Sequence, residues 1–297
     1  STISLDAMSG DRGAEVVVRA AAGSLQKYAN LDLILVGDER ELGQLVASIV
    51  GTEPRLRIQH ASEVVGMSEA PVEALRQKKD SSMRVAINLV KSGDADACVS
   101  AGNTGALMAT SKFVLKMLPG IDRPAIITEL PAIGGSLHML DLGANTQGSA
   151  EHLFQYAVMG SIVSSDILGI ERPKVALLNI GAEDTKGHDT IKDASALLQA
   201  STLNYVGFIE GSDLFAGKAD VVVTDGFTGN VALKTMEGTV GLAKHYLRRA
   251  FSRNWLTKLQ ALLAGPVLRK LAIEMDSRNY NGATLVGLNG IVIKSHG

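Results

Sequence analysis

The sequence has 297 residues, with 29 Lys and Arg against 31 Asp and Glu, a net charge of −2 and a single cysteine. Near-neutral charge removes any general attraction to polyanions, and 4% aromatic residues leave few rings for stacking single-stranded nucleic acid, so no nucleic-acid partner is expected. One cysteine excludes an internal disulfide framework and a multi-cysteine metal site, and points to a reducing cytosol.

Along the chain one pattern recurs: a short apolar run, a turn holding Gly, Asp or Asn, then a stretch with apolar residues at helical spacing. Residues 2–5 lead into Asp6-Ala7-Met8-Ser9-Gly10-Asp11, and 31–36 into Gly37-Asp38. Residues 95–99 lead into Ser100-Ala101-Gly102-Asn103-Thr104-Gly105, with Thr104 the expected N-cap of the helix that follows. Cys98 lies in that apolar run and reads as a small core residue, not a nucleophile. Residues 137–140 precede Asp141-Leu142-Gly143-Ala144-Asn145, 174–178 precede the turn from Gly181 to Gly187, and 219–223 precede Asp225-Gly226-Phe227-Thr228-Gly229-Asn230. Strands alternating with helices at this spacing predict an α/β fold with a mostly parallel sheet covered on both faces. The last stretch reads as two strands around Asn289-Gly290, a hairpin signal.

No stretch approaches the roughly 18 uninterrupted apolar residues of a membrane span. No linker rich in Pro, Ser or charge divides the chain, so one α/β catalytic domain over residues 1–297 is expected. Residues 238–273 break the pattern: they hold no Asp or Glu but seven basic residues, Lys244, Arg248, Arg249, Arg253, Lys258, Arg269 and Lys270. Without those seven the chain keeps 22 basic residues against 31 acidic, a charge of −9. The segment over 238–275 reads as a basic amphipathic hairpin of two helices joined at Gly265-Pro266, with Leu259, Leu262, Leu263, Val267 and Leu268 around its tip.

In an open α/β sheet the turns leaving the carboxyl ends of parallel strands line one crevice. By that rule Asp6, Gly10 and Asp11, the Ser100–Gly105 turn, Asp141, Gly143 and Asn145, the Gly181–Gly187 turn and the Asp225–Asn230 turn are expected to converge. Helix N-termini carry unpaired N–H groups and partial positive charge, so several together would suit a small, highly charged anion. The turns are not nucleotide fingerprints: G-x-x-x-x-G-K-[ST] is absent, no G-x-G-x-x-G follows the first strand, and no G-x-S-x-G elbow occurs. The six His residues are scattered without metal-ligand spacing, so no metal and no cofactor is expected.

Taken together, "SLDAMSGD", "VSAGNTGALMA", "DLGAN", "NIGAEDTKG", "DGFTGNVALKTMEG" and "GATLVGLNGIVIKSHG" resemble the phosphate acyltransferases of bacterial phospholipid synthesis. The motifs run in order from Leu5 to Gly297. Four positions depart from the family's usual pattern: Ser9 stands where Gly is usual, Arg12 where His is common, Ala182 where an acid is frequent and Asn281 where Gly is usual.

The resemblance implies a three-layer α/β/α fold of the phosphotransacetylase and isocitrate/isopropylmalate dehydrogenase type, with the basic hairpin projecting from it. It implies a homodimer at the inner face of the membrane. The implied reaction converts long-chain acyl-[acyl-carrier protein] and inorganic phosphate to acyl phosphate, which a glycerol-3-phosphate acyltransferase then consumes. Lys186, Asn230 and His296 become the expected catalytic residues. Asp6, Gly10, Asp11, Ser100, Gly102, Asn103, Thr104, Gly105, Asp141, Gly143, Asn145, Gly181, Asp225, Gly226, Gly229 and Lys294 become the expected phosphate or substrate contacts. Carrier protein or anionic lipid falls to Arg248, Arg249, Arg253, Lys258, Arg269 and Lys270, with Leu262, Leu263, Val267 and Leu268 at the apolar tip. Two other readings stay open: a phosphotransacetylase acting on acyl-coenzyme A, and a non-catalytic membrane scaffold for lipid-synthesis enzymes.

Overall fold

Apolar runs and glycine-bearing turns fold into alternating strands and helices over residues 1–274 and 282–295, the part of the chain that the computed structural model describes. Asn281 and His296 lie outside the described residues. In chain order the elements begin β1 (Thr2–Asp6), α1 (Gly13–Lys27), β2 (Asp32–Gly37), α2 (Glu39–Ile49), β3 (Leu56–His60), α3 (Pro71–Gln77), α4 (Ser82–Ser92), β4 (Ala97–Ser100) and α5 (Thr104–Leu115). They continue with β5 (Ala125–Ala132), β6 (Gly135–Leu140), α6 (Ala150–Leu168), β7 (Lys174–Leu178), α7 (Asp189–Gln199), β8 (Asn204–Ile209) and β9 (Val221–Val223). The last elements are α8 (Gly226–Phe251), α9 (Trp255–Leu263), α10 (Gly265–Glu274), β10 (Ala283–Val286) and β11 (Ile291–Lys294).

The chain divides into two compact units, Ser1–Ile127 with Gly282–Gly297, and Thr128–Asn281. One crossing falls inside strand β5, which is why no linker composition announces it. In the first unit the strand order is β3-β2-β1-β4-β11-β10-β5. β1 runs parallel to β2 and β4, and β11 runs parallel to β4, while β10 is antiparallel to both β11 and β5. The expected hairpin around Asn289-Gly290 is therefore present. In the second unit β6, β9, β7 and β8 lie side by side in that order, all parallel.

Side-chain alternation on β1 sorts the helices of the first unit. Ser4 is buried and donates its hydroxyl proton to the Ala86 carbonyl of α4 at 2.8 Å. Its neighbours Ile3 and Leu5 point the other way, against the cluster of Val18, Ala21 and Leu25 on α1 and Leu33 and Leu35 on β2. α1 and α4 thus cover opposite faces. Polar residues in the turns start the helices: Asp38, Ser81, Asn103, Ser149, Asp225 and Asn254 each accept a first-turn N–H as N-cap. Each such cap is worth about 1 kcal/mol.

The basic segment differs from the expected two-helix hairpin. α8 runs unbroken from Gly226 to Phe251, through Gly238 and Gly241, and it stops at Ser252. Asn254 and Thr257 then form a reciprocal capping box that starts α9. A further short break at Ala264 separates α9 from α10, so Gly265 and Pro266 sit in the first turn of α10 and not in a single hairpin loop. Among the described residues, no helix is long and apolar enough to cross a membrane.

In the second unit His138 is 3% exposed on β6, with Nδ1 2.7 Å from the Ser164 hydroxyl of α6. Burial pushes its pKa below the usual histidine range, against a smaller opposing pull from the Glu129 charge. The unfolded chain therefore binds a proton that the folded chain resists, so stability falls as pH drops below about 6.5. Between about pH 7 and about pH 5 the thermal midpoint should decline. His138→Asn should flatten that slope. A slope unchanged by the substitution contradicts the assignment.

Candidate active site

The first unit gathers its turns around one carboxylate. Asp6, at the end of β1, is 2% exposed. It accepts the hydroxyl protons of Ser82 and Ser100, both at 2.6 Å, and the Ser9 N–H at 3.3 Å. Charge-assisted bonds of this length satisfy a buried carboxylate that would otherwise be costly. The Ser100 oxygen also accepts the Gly102 N–H at 3.1 Å, so a chain from Gly102 through Ser100 to Asp6 braces the turn. Lys294 of β11 reaches the same turn, donating to the Ala101 carbonyl at 3.4 Å and to the Ser295 carbonyl. Gly10 adopts φ +104° and comes so close to Ala101 that a β-carbon would lie 3.0 Å from the Ala101 β-carbon. Asp11 stands apart from this cluster, exposed on the turn before α1.

The glycines of the Ser100–Gly105 turn have a packing cause. A β-carbon on Gly102 would meet Met83 Cε at 2.7 Å and Ser9 Cβ at 2.8 Å, and one on Gly105 would meet Pro71 Cγ at 2.8 Å. α5 is capped by Asn103 and not by Thr104, which is its first residue. Asn103 Oδ1 accepts the Ala106 N–H at 3.1 Å, and its Nδ2 donates to the Met67 and Glu69 carbonyls at 2.8 and 2.9 Å. Its amide is thus committed to holding the loop before α3. What this turn can offer an anion is the first-turn N–H groups of Thr104 and Gly105, which no i−4 carbonyl of their own helix can accept.

The second unit gathers Asp141, Gly143, Asn145, Asp225, Gly226, Gly229 and Asn230. Asp141 is fully buried; its carboxylate accepts the Ala144 N–H at 3.0 Å, the Asn145 N–H at 2.7 Å and the Asn145 side-chain amide at 2.9 Å. α8 begins directly against this loop. Gly226 donates its N–H to the Asn145 carbonyl at 2.8 Å, and a β-carbon there would lie 2.6 Å from that oxygen. A β-carbon on Gly229 would overlap the Asp141 carbonyl oxygen. Asp225 caps the helix, accepting the Thr228 N–H and hydroxyl at 2.9 Å each. That leaves Asn230 free of capping: it is exposed, and its side chain faces Gly143, where a β-carbon would lie 3.8 Å from Asn230 Oδ1.

The turn after β7 is held by Asn179, whose side-chain amide donates to the Lys186 carbonyl at 3.2 Å. Lys186 is exposed, and its stem passes over Gly181, where a β-carbon would meet Lys186 Cγ at 2.9 Å. Beside Asp225 and Thr228 opens a cleft of about 530 Å³, also lined by Thr146, Thr190, His188 and Phe227. Thr146 and Thr190 were not candidates on sequence grounds. Neither carries a motif: Thr146 lies three residues before the Ser149 cap of α6, and Thr190 lies in the first turn of α7, whose N-cap His188 makes no side-chain cap bond. Ser82 escaped for the same reason.

Cys98 is fully buried, and burial, reinforced by the nearby Asp6 charge, pushes its thiol far up, so no thiolate nucleophile arises there. Among the described residues, no group of three or more His, Cys, Asp or Glu side chains could hold a metal ion.

The family described as "Fatty acid synthesis protein" matches residues 1–297. The phosphate acyltransferase of Nitrosococcus oceani is 60% identical over 299 residues, covering 100% of this chain and 87% of that protein. The chain belongs to the phosphate acyltransferase family. The relative from Alkalilimnicola ehrlichii is 59% identical over 297 residues, again with 100% and 87% coverage. An acyltransferase of fatty acid and phospholipid synthesis is thus the enzyme class. Among solved structures, a phosphotransacetylase from Streptococcus pyogenes aligns with a TM-score of 0.61 at 20% identity, covering 80% of this chain and 81% of that one. A branched-chain phosphotransacylase from Enterococcus faecalis aligns with a TM-score of 0.61 at 16% identity, covering 99% and 91%. Both establish the phosphotransacetylase-like α/β fold.

Proposed function

We propose that the enzyme transfers a long-chain acyl group from acyl carrier protein to inorganic phosphate. A phosphate oxygen attacks the thioester carbonyl carbon, the carbonyl oxygen gathers negative charge, and the carbon–sulfur bond breaks. Acyl phosphate and the free carrier thiol leave, with the proton shed by phosphate balancing the thiolate. The observation that carries this reading is the match of the whole chain, at 60% identity, to a phosphate acyltransferase. The unreactive thiol of Cys98 supports direct attack by phosphate over a cysteine-bound acyl intermediate.

In this reading the residues divide their labour by geometry. The open N–H groups of Thr104 and Gly105 and the Lys294 ammonium suit an anion beside the first unit's turn. Asn230, with its amide beside Gly143, and Lys186, on its glycine-bearing turn, suit the stabilisation of developing negative charge. Asp6, Asp141 and Asp225 hold these loops in shape.

The helices α8 to α10 suit two partners. Arg248, Arg249, Arg253, Lys258, Arg269 and Lys270 are exposed, and a basic surface on an otherwise acidic chain would steer an acidic carrier protein. Leu262, Leu263 and Val267 are 75%, 76% and 71% exposed, while Leu268 is half-buried. An apolar tip flanked by cations suits the inner membrane face, where each basic residue contributes about 1 kcal/mol against anionic lipid. Exposed Leu242, Tyr246 and Leu247 on α8 leave apolar surface for the second copy of a homodimer. Changing Leu262 and Leu263 together to Glu should abolish sedimentation with vesicles rich in acidic lipid at physiological salt. Undiminished sedimentation would end the membrane assignment.

Carrier protein and coenzyme A are separated by direct competition. With phosphate saturating, kcat/KM for palmitoyl-carrier protein should exceed that for palmitoyl-coenzyme A, and the advantage should shrink as salt rises. A salt-independent preference for coenzyme A would replace this reading with that of a phosphotransacetylase.

A further inference from the structure

A cavity of about 830 Å³ lies beside α1 in the first unit, and one end of it meets the Asp6–Gly10 turn described above. One wall is Val16, Val17, Ala20 and Ser24 of α1. The floor is Ile3 and Leu5 of β1 with Val99 of β4. The floor residues are only partly covered, unlike Ser4 and Cys98, which are buried on the opposite face of the same strands. The cavity follows a helix of 15 residues, about 22 Å long, so it is an elongated apolar groove.

Its two ends differ. One end closes on Asp6, Ser9, Gly10 and Arg12. Asp6 is satisfied there by three donors, but the Ser9 hydroxyl, in a residue 2% exposed, has no hydrogen-bond partner among the described residues. A buried hydroxyl without a partner costs free energy unless a ligand completes it. That hydroxyl faces the buried Gly102, whose absent β-carbon would lie 3.1 Å from the Ser9 oxygen. The other end reaches Lys27 and Tyr28, with the Lys27 ammonium 5.1 Å from the Tyr28 ring centroid. A long trough lined mainly by apolar side chains, with one end opening onto the Asp6–Ser9 turn, is the shape of a site for the chain of an amphiphile.

The geometry points to this groove as the binding site for the hydrocarbon chain of the acyl substrate, its carboxyl-derived head lying at the Ser9–Arg12 end. The inference rests on the acyl-transfer reading above, but its test separates from it. The groove has room for a long chain, and each methylene taken out of water is worth about fourfold in affinity.

Two measurements test it. Ala20→Phe and Ser24→Leu each add bulk to the groove from partly exposed helix positions. Each should lower the ratio of kcat/KM for palmitoyl- over butyryl-carrier protein by about tenfold or more, chiefly through KM for the palmitoyl substrate. An unchanged ratio in both variants, with thermal midpoints near the wild type's, overturns the inference. Independently of turnover, palmitic acid carrying a terminal diazirine should on irradiation label peptides within residues 13–31 of the wild-type protein, and less so in Ala20→Phe. Label confined to other segments, as expected were a second copy to cover this face, also overturns it. A wild-type protein that is labelled at 13–31 yet forms no acyl phosphate would instead contradict the proposed reaction and leave the groove standing.

Discussion

Asn230→Ala should lower kcat by about 10²–10³-fold, the typical loss for removing one donor to a developing oxyanion, while shifting stability by no more than about 0.5 kcal/mol. The two halves of that expectation come from different observations. The side chain is exposed and does not cap α8, since Asp225 occupies that role, so the fold loses little. Yet Asn230 stands beside the backbone of Gly143, on a helix turn that glycine contacts press against the buried Asp141 loop. The backbone that carries this amide is thus fixed in place, and a donor presented from a fixed backbone suits catalysis by positioning. Steady-state kinetics at saturating phosphate together with a melting curve checks both halves. A variant with near-normal kcat removes Asn230 from the chemistry.

The second large effect concerns stability and contrasts two glycines of one helix. Gly229→Ala should destabilise the second unit severely, because its β-carbon would overlap the Asp141 carbonyl oxygen, a backbone atom that cannot swing aside as a flexible side chain would. Overpacking usually costs about 1–3 kcal/mol, and this site belongs at or above the top of that range. Gly238→Ala meets nothing within 4 Å and should stabilise the protein by about 0.5–1 kcal/mol, the ordinary gain for Ala over Gly within a helix. Thermal or urea denaturation of both variants decides it. Equal effects would show that the start of α8 is not clamped to the Asp141 loop.

Much of this was readable from residues alone, and what was missed has identifiable causes. Strands with uninterrupted apolar runs, such as Lys174–Leu178, and the closing hairpin around Asn289-Gly290 stand where periodicity placed them. β3, β5 and β8 escaped: β3 and β8 are outermost strands, where Arg57, Gln59 and Asn204 interrupt the apolar pattern, and β5 is followed directly by β6 and not by a helix, outside the strand–turn–helix pattern. The boundary at Ser252–Asn254 escaped because a capping box there ends one helix and starts another without glycine or proline. Within the site, residue types were legible but their duties were not. Asn103, Gly102 and Gly105 sit in an anion-like motif, yet Asn103 caps α5 and ties down a loop, and the glycines make room for Met83 and Pro71. Composition cannot distinguish a glycine kept for a ligand from one kept for a neighbouring helix. Only the position of the missing β-carbon can. The groove beside α1 was invisible for a related reason: Val16, Val17 and Ala20 read as an ordinary amphipathic helix face until the half-covered strands beneath them are seen.

The central claim is that acyl transfer to inorganic phosphate is this enzyme's reaction. Incubating the purified protein with palmitoyl-carrier protein and phosphate, trapping acyl phosphate as hydroxamate and titrating released thiol, tests it most directly. The account predicts hydroxamate and thiol in equal amounts, both dependent on phosphate and neither requiring a nucleotide or a metal. Thiol release that proceeds without phosphate, or consumption of phosphate without acyl phosphate, would contradict it.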